Sequence, residues 1–536
     1  MKTERQEQGK KILVIGGVAG GASFAARARR LSEEARIVVF EKGPYVSFAN
    51  CGLPYHVGGE IADRAKLLLH TPESLGRRFN LDVRVRSEVL RIDRASKTVV
   101  VRDLAQGREY MESYDEVVLA TGASPLRPPI PGISGPGIFT LRDVPDTDLI
   151  IDWIARHNAT RAVVVGGGYV GLEMLEQLHR RGLVTTLIEA LPQVMTPLDP
   201  EMAALLHEEL RSKGVSLHLG DSVTEFVLGS NASQAPTVVT KSGKRIESDL
   251  ILVAIGVRPE STLAKEAGLE VGPRGSIQVN EFLQTSDPSI WAIGDVIEVR
   301  QQPLGVAAMV PLAGPANRQG RMAADNMLGG FKRKYRGTWG TAILRLFERT
   351  AACTGENEKQ LLKEGVLFER IFLHPNQHAG YFPGAESLAM KLLFSPIDRR
   401  VLGAQVVGKE GVDKRIDVLS TALQAKMTVD DLAELELAYA PPFGSAKDPV
   451  NMAGMAAQNV LDGLVRVAQW SEVSKLRESH VLLDVREIKE VERGTIPGSL
   501  HIPLGDLRSR LSEVPRGKEI LVFCQSGQRS YNACRI

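Results

Sequence analysis

The chain has 536 residues, room for about three or four domains, and a formal net charge of +2 that does not favour nucleic acid or a membrane surface as partner. Its four cysteines, Cys51, Cys353, Cys524 and Cys534, are too few and too scattered for a secreted disulfide framework or a zinc site. No metal is therefore expected, and a reducing cytoplasm is the natural setting. Met1 to Lys11 is polar and lacks an apolar signal core, and no apolar run reaches the roughly 18 residues of a membrane span.

Lys11 to Ile15 reads as a buried strand. The turn Gly16-Gly17-Val18-Ala19-Gly20-Gly21 follows, then a helix from Gly21 to Leu31 and a strand from Arg36 to Phe40 that ends at Glu41. This is a βαβ start with a cradle for a pyrophosphate at the helix N-terminus. Glu41 is placed to accept hydrogen bonds from a ribose. Val18 occupies the middle glycine position of GxGxxG, so the register is imperfect. Ten residues after Glu41 comes Cys51, in Ser47-Phe48-Ala49-Asn50-Cys51-Gly52-Leu53-Pro54-Tyr55. No second cysteine is near enough in the sequence for an internal CxxxxC disulfide. The thiol must exchange sulfur or electrons with a thiol from outside. Val117 to Ala120 is a further strand, closed by Thr121-Gly122.

From Arg161 the pattern restarts: a strand from Ala162 to Val165, the turn Gly166-Gly167-Gly168-Tyr169-Val170-Gly171, a helix from Leu172 to Arg181, and a strand ending at Glu189. This turn matches GxGxxG in full. Glu189 would accept both ribose hydroxyls and repel a 2′-phosphate, and no arginine follows in Ala190-Leu191-Pro192-Gln193. NADH is preferred on this basis, with NADPH as the alternative. Leu250 to Gly256 closes the second unit, and Ile290 to Asp295 returns to the first.

Beyond Gly330 the signature changes. Ala389 to Phe394 and Val401 to Val407 read as strands, and Asp417 to Lys426 and Val429 to Leu435 as helices, an α+β module. After Val465 comes a small α/β segment, with strands at Val481 to Asp484 and Ile520 to Phe523 running into Cys524. The expected domain bounds are 10–145 and 272–328 for the two parts of a first dinucleotide-binding domain, 146–271 for a second, 329–462 for the α+β module and 466–536 for the tail. The fold class is α/β.

The paired fingerprints, with Ala120-Thr121-Gly122 and Ile293-Gly294-Asp295, resemble the two-dinucleotide-domain flavoprotein disulfide reductases over roughly Lys10 to Asn459. The resemblance implies FAD in the first domain, held by Gly16, Gly17, Gly20, Gly21, Glu41, Thr121, Gly122 and Asp295. It implies a nicotinamide cofactor in the second, held by Gly166, Gly168, Gly171 and Glu189. The SxxNCxLPY segment resembles coenzyme A-disulfide reductases. This implies Cys51 as redox nucleophile, with Ser23, Arg27, Arg30, Ser47 and Asn50 along coenzyme A. Tyr381 and Tyr439 resemble tyrosines that reach the partner subunit's site in a homodimer and stabilise the departing sulfur. Phe443 stands where the family often has a further tyrosine.

Leu483-Asp484-Val485-Arg486-Glu487, Gly494-Thr495-Ile496-Pro497-Gly498-Ser499 and Cys524-Gln525-Ser526-Gly527-Gln528-Arg529-Ser530 together resemble a rhodanese domain. That implies a persulfide-holding Cys524. The tail reads as truncated, because rhodanese domains normally continue past this loop. The expectation is an FAD- and NADH-dependent reductase of coenzyme A persulfide, polysulfide or disulfide whose tail handles sulfane sulfur. The alternatives are an NADH oxidase or peroxidase cycling a cysteine sulfenate, and a slow sulfur-carrier or redox-sensing flavoprotein.

Overall fold

The computed structural model describes residues 9–229 and 236–536; part of the polar N-terminal stretch, up to residue 8, lies outside them. The chain forms two compact units, residues 1–196 with 203–340, and residues 197–202 with 341–536.

The first unit holds two five-stranded parallel sheets. One is ordered Ile290–Ala292, Glu116–Leu119, Lys11–Ile15, Arg36–Phe40, Asp82–Arg84. The other is ordered Ser216–Leu219, Val184–Glu189, Arg161–Val165, Leu250–Val253, Ile138–Phe139. Their central strands are near-continuous runs of Val, Ile and Leu, as strands covered on both faces require. Ile12, Leu13 and Val14 are fully buried, and so are Val117 and Val118 beside them. Ile290 pairs in parallel with Val117, so the chain does return to the first sheet after completing the second.

Helix Ala19–Leu31 packs along helix Ala313–Leu328 at a glycine contact. A Cβ on Gly320 would meet the Gly20 carbonyl oxygen at 2.4 Å. Arg29 fixes the end of the first helix. It is buried and donates to the carbonyls of Phe79, Ser32, Glu33 and Asn80.

The second unit is built on an antiparallel sheet ordered Ala342–Leu346, Arg349–Gly355, Val401–Gly408, Ala389–Phe394, Glu369–Leu373. Helix Val412–Gln424 covers it, starting five residues before the expected Asp417; Val412, Arg415 and Ile416 in its first turns are buried. A three-stranded parallel sheet, Leu500–His501, Val481–Asp484, Ile520–Phe523, forms the C-terminal part.

Lys391 lies in the middle of the larger sheet and is fully buried. Its Nζ reaches Asp199 at 2.7 Å, Glu201 at 2.5 Å and Glu358 at 2.5 Å, over the ring of Phe372. Burial alone would lower the Lys391 pKa; the three carboxylates outweigh it and hold the ammonium charged. Asp199 is completed by the amide of Gln405 and the backbone N–H of Glu358. The hub therefore ties the segment 197–202 to the sheet. Lys391→Met should destabilise this unit by about 3–5 kcal/mol, because three acids lose the buried cation they share. A fall in the denaturant midpoint of the unit's transition checks this.

Candidate functional site

The two Gly-rich turns are the same structure built twice. Gly16 has φ 103° and Gly166 φ 108°, a backbone region that only glycine enters without strain. A Cβ on Gly21 would meet the Gly16 carbonyl oxygen at 1.9 Å, and one on Gly171 would meet that of Gly166 at 2.0 Å. Glu41 accepts the N–H of Gly17 at 2.9 Å and of Gly43 at 2.8 Å. Glu189 accepts the N–H of Gly167 at 2.6 Å and of Leu191 at 2.8 Å. Neither helix has an acidic residue in its first turn, so the N–H groups there remain suited to an anion.

Val18 and Gly168 are the corresponding middle positions. Gly168 has φ −82° and Val18 φ −99°, both ordinary for an L-residue. The imperfect register of the first turn is therefore no obstacle to the fold. A Cβ on Gly168 would meet nothing within 4 Å, which is the open space a pyrophosphate needs beside a helix N-terminus.

Asp295 follows the returning strand. Burial raises its carboxyl pKa to about 6, and no group among the described residues acts to lower it. An enclosed acceptor of this kind suits the hydroxyls of a ribityl chain. Thr121 donates to the Glu260 carbonyl at 2.7 Å, and Gly122 has φ 69° with open space on its Cβ side. These residues fit FAD on the first turn and a nicotinamide nucleotide on the second.

Ser47 has φ 49° and donates its N–H to the Gly17 carbonyl at 2.9 Å. Its counterpart Met195 has φ 49° and donates to the Gly167 carbonyl at 2.8 Å. The Cys51 segment is thus hung from the first turn. Asn50–Gly52 forms a 3₁₀ turn and Leu53–Val57 a short helix, anchored by buried Leu53 and Val57. Cys51 stays accessible to solvent at the mouth of this segment. Its thiol pKa is nevertheless raised, first by the protein packed around it and then by Glu173 and Asp295. Glu173 comes from the helix after the second turn and accepts from the Tyr55 hydroxyl at 3.4 Å. A thiol influenced by one acid from each dinucleotide half lies where the two halves meet.

The residues expected along coenzyme A are placed on one helix face and the redox segment. Ser23 pairs with Asn317. Arg27 is bound to Asp325 at 2.6 Å, and Arg30 donates to the Ala26 carbonyl of its own helix. Asn50 is exposed beside Cys51. The sequence did not single out Asn317 or Asp325; they sit on a second helix almost 300 residues away.

In the second unit the hydroxyls of Tyr381 and Tyr439 lie 3.0 Å apart, and the side chains are 76% and 48% exposed. That bond raises the Tyr381 pKa. Phe443 lies beyond them, 72% exposed.

Cys524 ends strand Ile520–Phe523 in a loop that turns back on its sulfur. The N–H groups of Gly527 and Ser530 approach Sγ at 3.2 and 3.4 Å, and the thiol donates to the Ser530 hydroxyl at 3.7 Å. Burial works to raise this pKa. The N–H groups of Ser530, Ser526 and Gly527 outweigh it, so the thiol is shifted down. Arg529 is held by both oxygens of Glu490, at 2.6 and 2.7 Å. Cys353 is buried within the antiparallel sheet, and Cys534 is exposed on the last helix.

The profile of the pyridine nucleotide-disulphide oxidoreductases matches residues 10–320, more than half of the chain. The chain belongs to that family. Its dimerisation domain matches residues 343–449, and a rhodanese-like domain matches 469–536. The coenzyme A disulfide reductase of Staphylococcus haemolyticus is 36% identical over 451 residues, 84% of this chain and 100% of that protein. The crystal structure of reduced Bacillus anthracis CoADR-RHD superposes with a TM-score of 0.96 at 49% identity, over 98% of this chain and 94% of that one. A NAD-dependent persulfide reductase from A. fulgidus gives 0.92 at 39% identity, over 98% and 96%. In this oxidoreductase family the α/β architecture read from the two turns is the shared one, and FAD and a nicotinamide nucleotide are the cofactors. Among the described residues no helix is long and apolar enough to cross a membrane.

The opposite shifts of the two thiols give a direct test. At pH 7, after removal of any adducts, iodoacetamide should label Cys524 faster than Cys51, because the thiolate is the reactive form. Raising the pH should accelerate labelling at Cys51 more. Peptide mass spectrometry over a pH series reads both rates, and equal rates at pH 7 would contradict the assigned environments.

Proposed function

We propose that this chain is an FAD- and NADH-dependent reductase of coenzyme A persulfide, polysulfide or disulfide, acting through Cys51 as a homodimer. The observation that carries the reading is one accessible thiol at the meeting point of two dinucleotide-binding halves, with no second cysteine in its segment. The names borne by the relatives support it. So does the rhodanese-like tail, which a sulfenate-cycling oxidase or peroxidase has no use for; that alternative is not favoured.

Cys51 Sγ attacks the inner sulfur of coenzyme A persulfide. A Cys51–S–S–coenzyme A bond forms and HS⁻ leaves; with coenzyme A disulfide the leaving group is a coenzyme A thiolate. FAD held at the Gly16–Gly21 turn would supply the redox link between the nicotinamide and sulfur. The balance is R–S–SH + NADH + H⁺ → R–SH + H₂S + NAD⁺. Burial, and then Glu173 and Asp295, disfavour the Cys51 thiolate, so the thiol must give up its proton to react. Ser47 and Asn50 flank the approach, and Ser23, Arg27 and Arg30 line the helix beside it; Arg27 is oriented by Asp325. Tyr381 and Tyr439, supplied by the partner subunit, would donate hydrogen bonds to the departing sulfur. Glu189, engaged with its own turn and followed by no arginine, favours NADH over NADPH.

Cys51→Ser should lower NADH oxidation with coenzyme A persulfide by at least about 100-fold while leaving FAD bound. Anaerobic stopped-flow and steady-state assays check it. Turnover retained in that variant, or wild-type turnover with O₂ that matches the rate with persulfide, overturns the reading.

A further inference from the structure

The groups that hydrogen-bond the sulfur of the rhodanese-like site are neutral: the N–H groups of Ser526, Gly527 and Ser530, and the Ser530 hydroxyl. The exposed lip, Gln525 to Gln528, carries no charge. Two arginines lie close by, and each is matched. Arg486 is closed on Asp484 at 2.7 Å and on the Gly494 carbonyl at 2.9 Å. Arg529, the cation that interacts with Cys524, gives both terminal nitrogens to Glu490. Glu487 also acts on Arg529. Glu490 is held in place as the third residue of a capping box, its carboxylate accepting the Glu487 N–H at 3.0 Å.

We propose that Glu490 sets the sulfur-donor class of the Cys524 site: by occupying Arg529 it selects a persulfide carried on a thiol over thiosulfate. The proposal rests on the reading that this domain handles sulfane sulfur, and it is independent of the chemistry at Cys51. In the favoured reaction the Cys524 thiolate attacks the outer sulfur of R–S–SH. The Cys524 S–S bond forms, the donor S–S bond breaks, and R–S⁻ leaves with the electron pair, so that Cys524–S–SH remains. Thiosulfate brings two negative charges to the same point and must leave as sulfite, a dianion. It needs a cation that is not already neutralised, and Glu490 withholds the one at hand.

The experiment measures thiocyanate formed from cyanide by the full FAD-loaded chain in the absence of NADH, with coenzyme A persulfide or sodium thiosulfate as donor. The wild-type kcat/KM for the persulfide should exceed that for thiosulfate by at least about tenfold. Glu490→Gln should shift the ratio toward thiosulfate by at least about fivefold. Gln525→Lys, which adds a cation to the lip and leaves the Glu490–Arg529 pair intact, should raise the thiosulfate rate. NADH oxidation through Cys51 reports that each variant is folded, and loss of that activity alone would bear on Cys51 and not on this proposal. A wild-type chain that uses both donors equally, a Glu490→Gln variant that loses both in parallel, or a Gln525→Lys variant with an unchanged thiosulfate rate overturns it.

Discussion

The bond on which the rest depends is a carboxylate gripping a glycine N–H of the adjacent turn, formed once by Glu41 and once by Glu189. Each acid ends a strand, reaches across to the Gly-rich loop, and accepts a second N–H two residues further on. This closes the loop against its strand and fixes the direction of the helix that follows. Because both carboxylate oxygens are satisfied by backbone donors, each acid is presented in one orientation at the edge of the nucleotide seat. A charge-assisted bond to an N–H is stronger than a neutral one, which suits an anchor at the mouth of an otherwise polar cleft.

Two thiols in one chain are tuned in opposite directions by their surroundings. Around Cys51 the nearby charges are acids, and they add to burial. Around Cys524 the nearby groups are N–H dipoles, and they overcome it. The first site disfavours the thiolate state, and the second favours it. A chain that must both cleave and carry sulfur gains from having these states separated.

The parts of this architecture written in the sequence are those built from local patterns. The two turns, their acids, the returning strand at Ile290 and the Cys524 loop each lie within a few consecutive residues, so periodicity and glycine placement expose them. What stayed hidden was long-range pairing. Lys391 sits in a strand that reads as apolar, and its three acids are contributed by segments 33 to about 190 residues away. Asp325 meets Arg27 only because two helices pack at glycines. Glu490 carries no mark except its place three residues after Glu487, which is a helix-start signal and says nothing of Arg529. The left-handed Ser47 could have been found from its match to Met195 in the second turn, had the repeat been aligned past the acids.

That match has a mechanical meaning. The peptide N–H of Ser47 is fastened to the carbonyl of Gly17, and Cys51 follows four residues later, with Ala49 pinned to Leu67 between them. The sulfur and the phosphate cradle are therefore two ends of one short, stiff lever. A displacement of the glycine loop would be passed to Cys51 through four residues, which couples the position of the thiol to that of the turn.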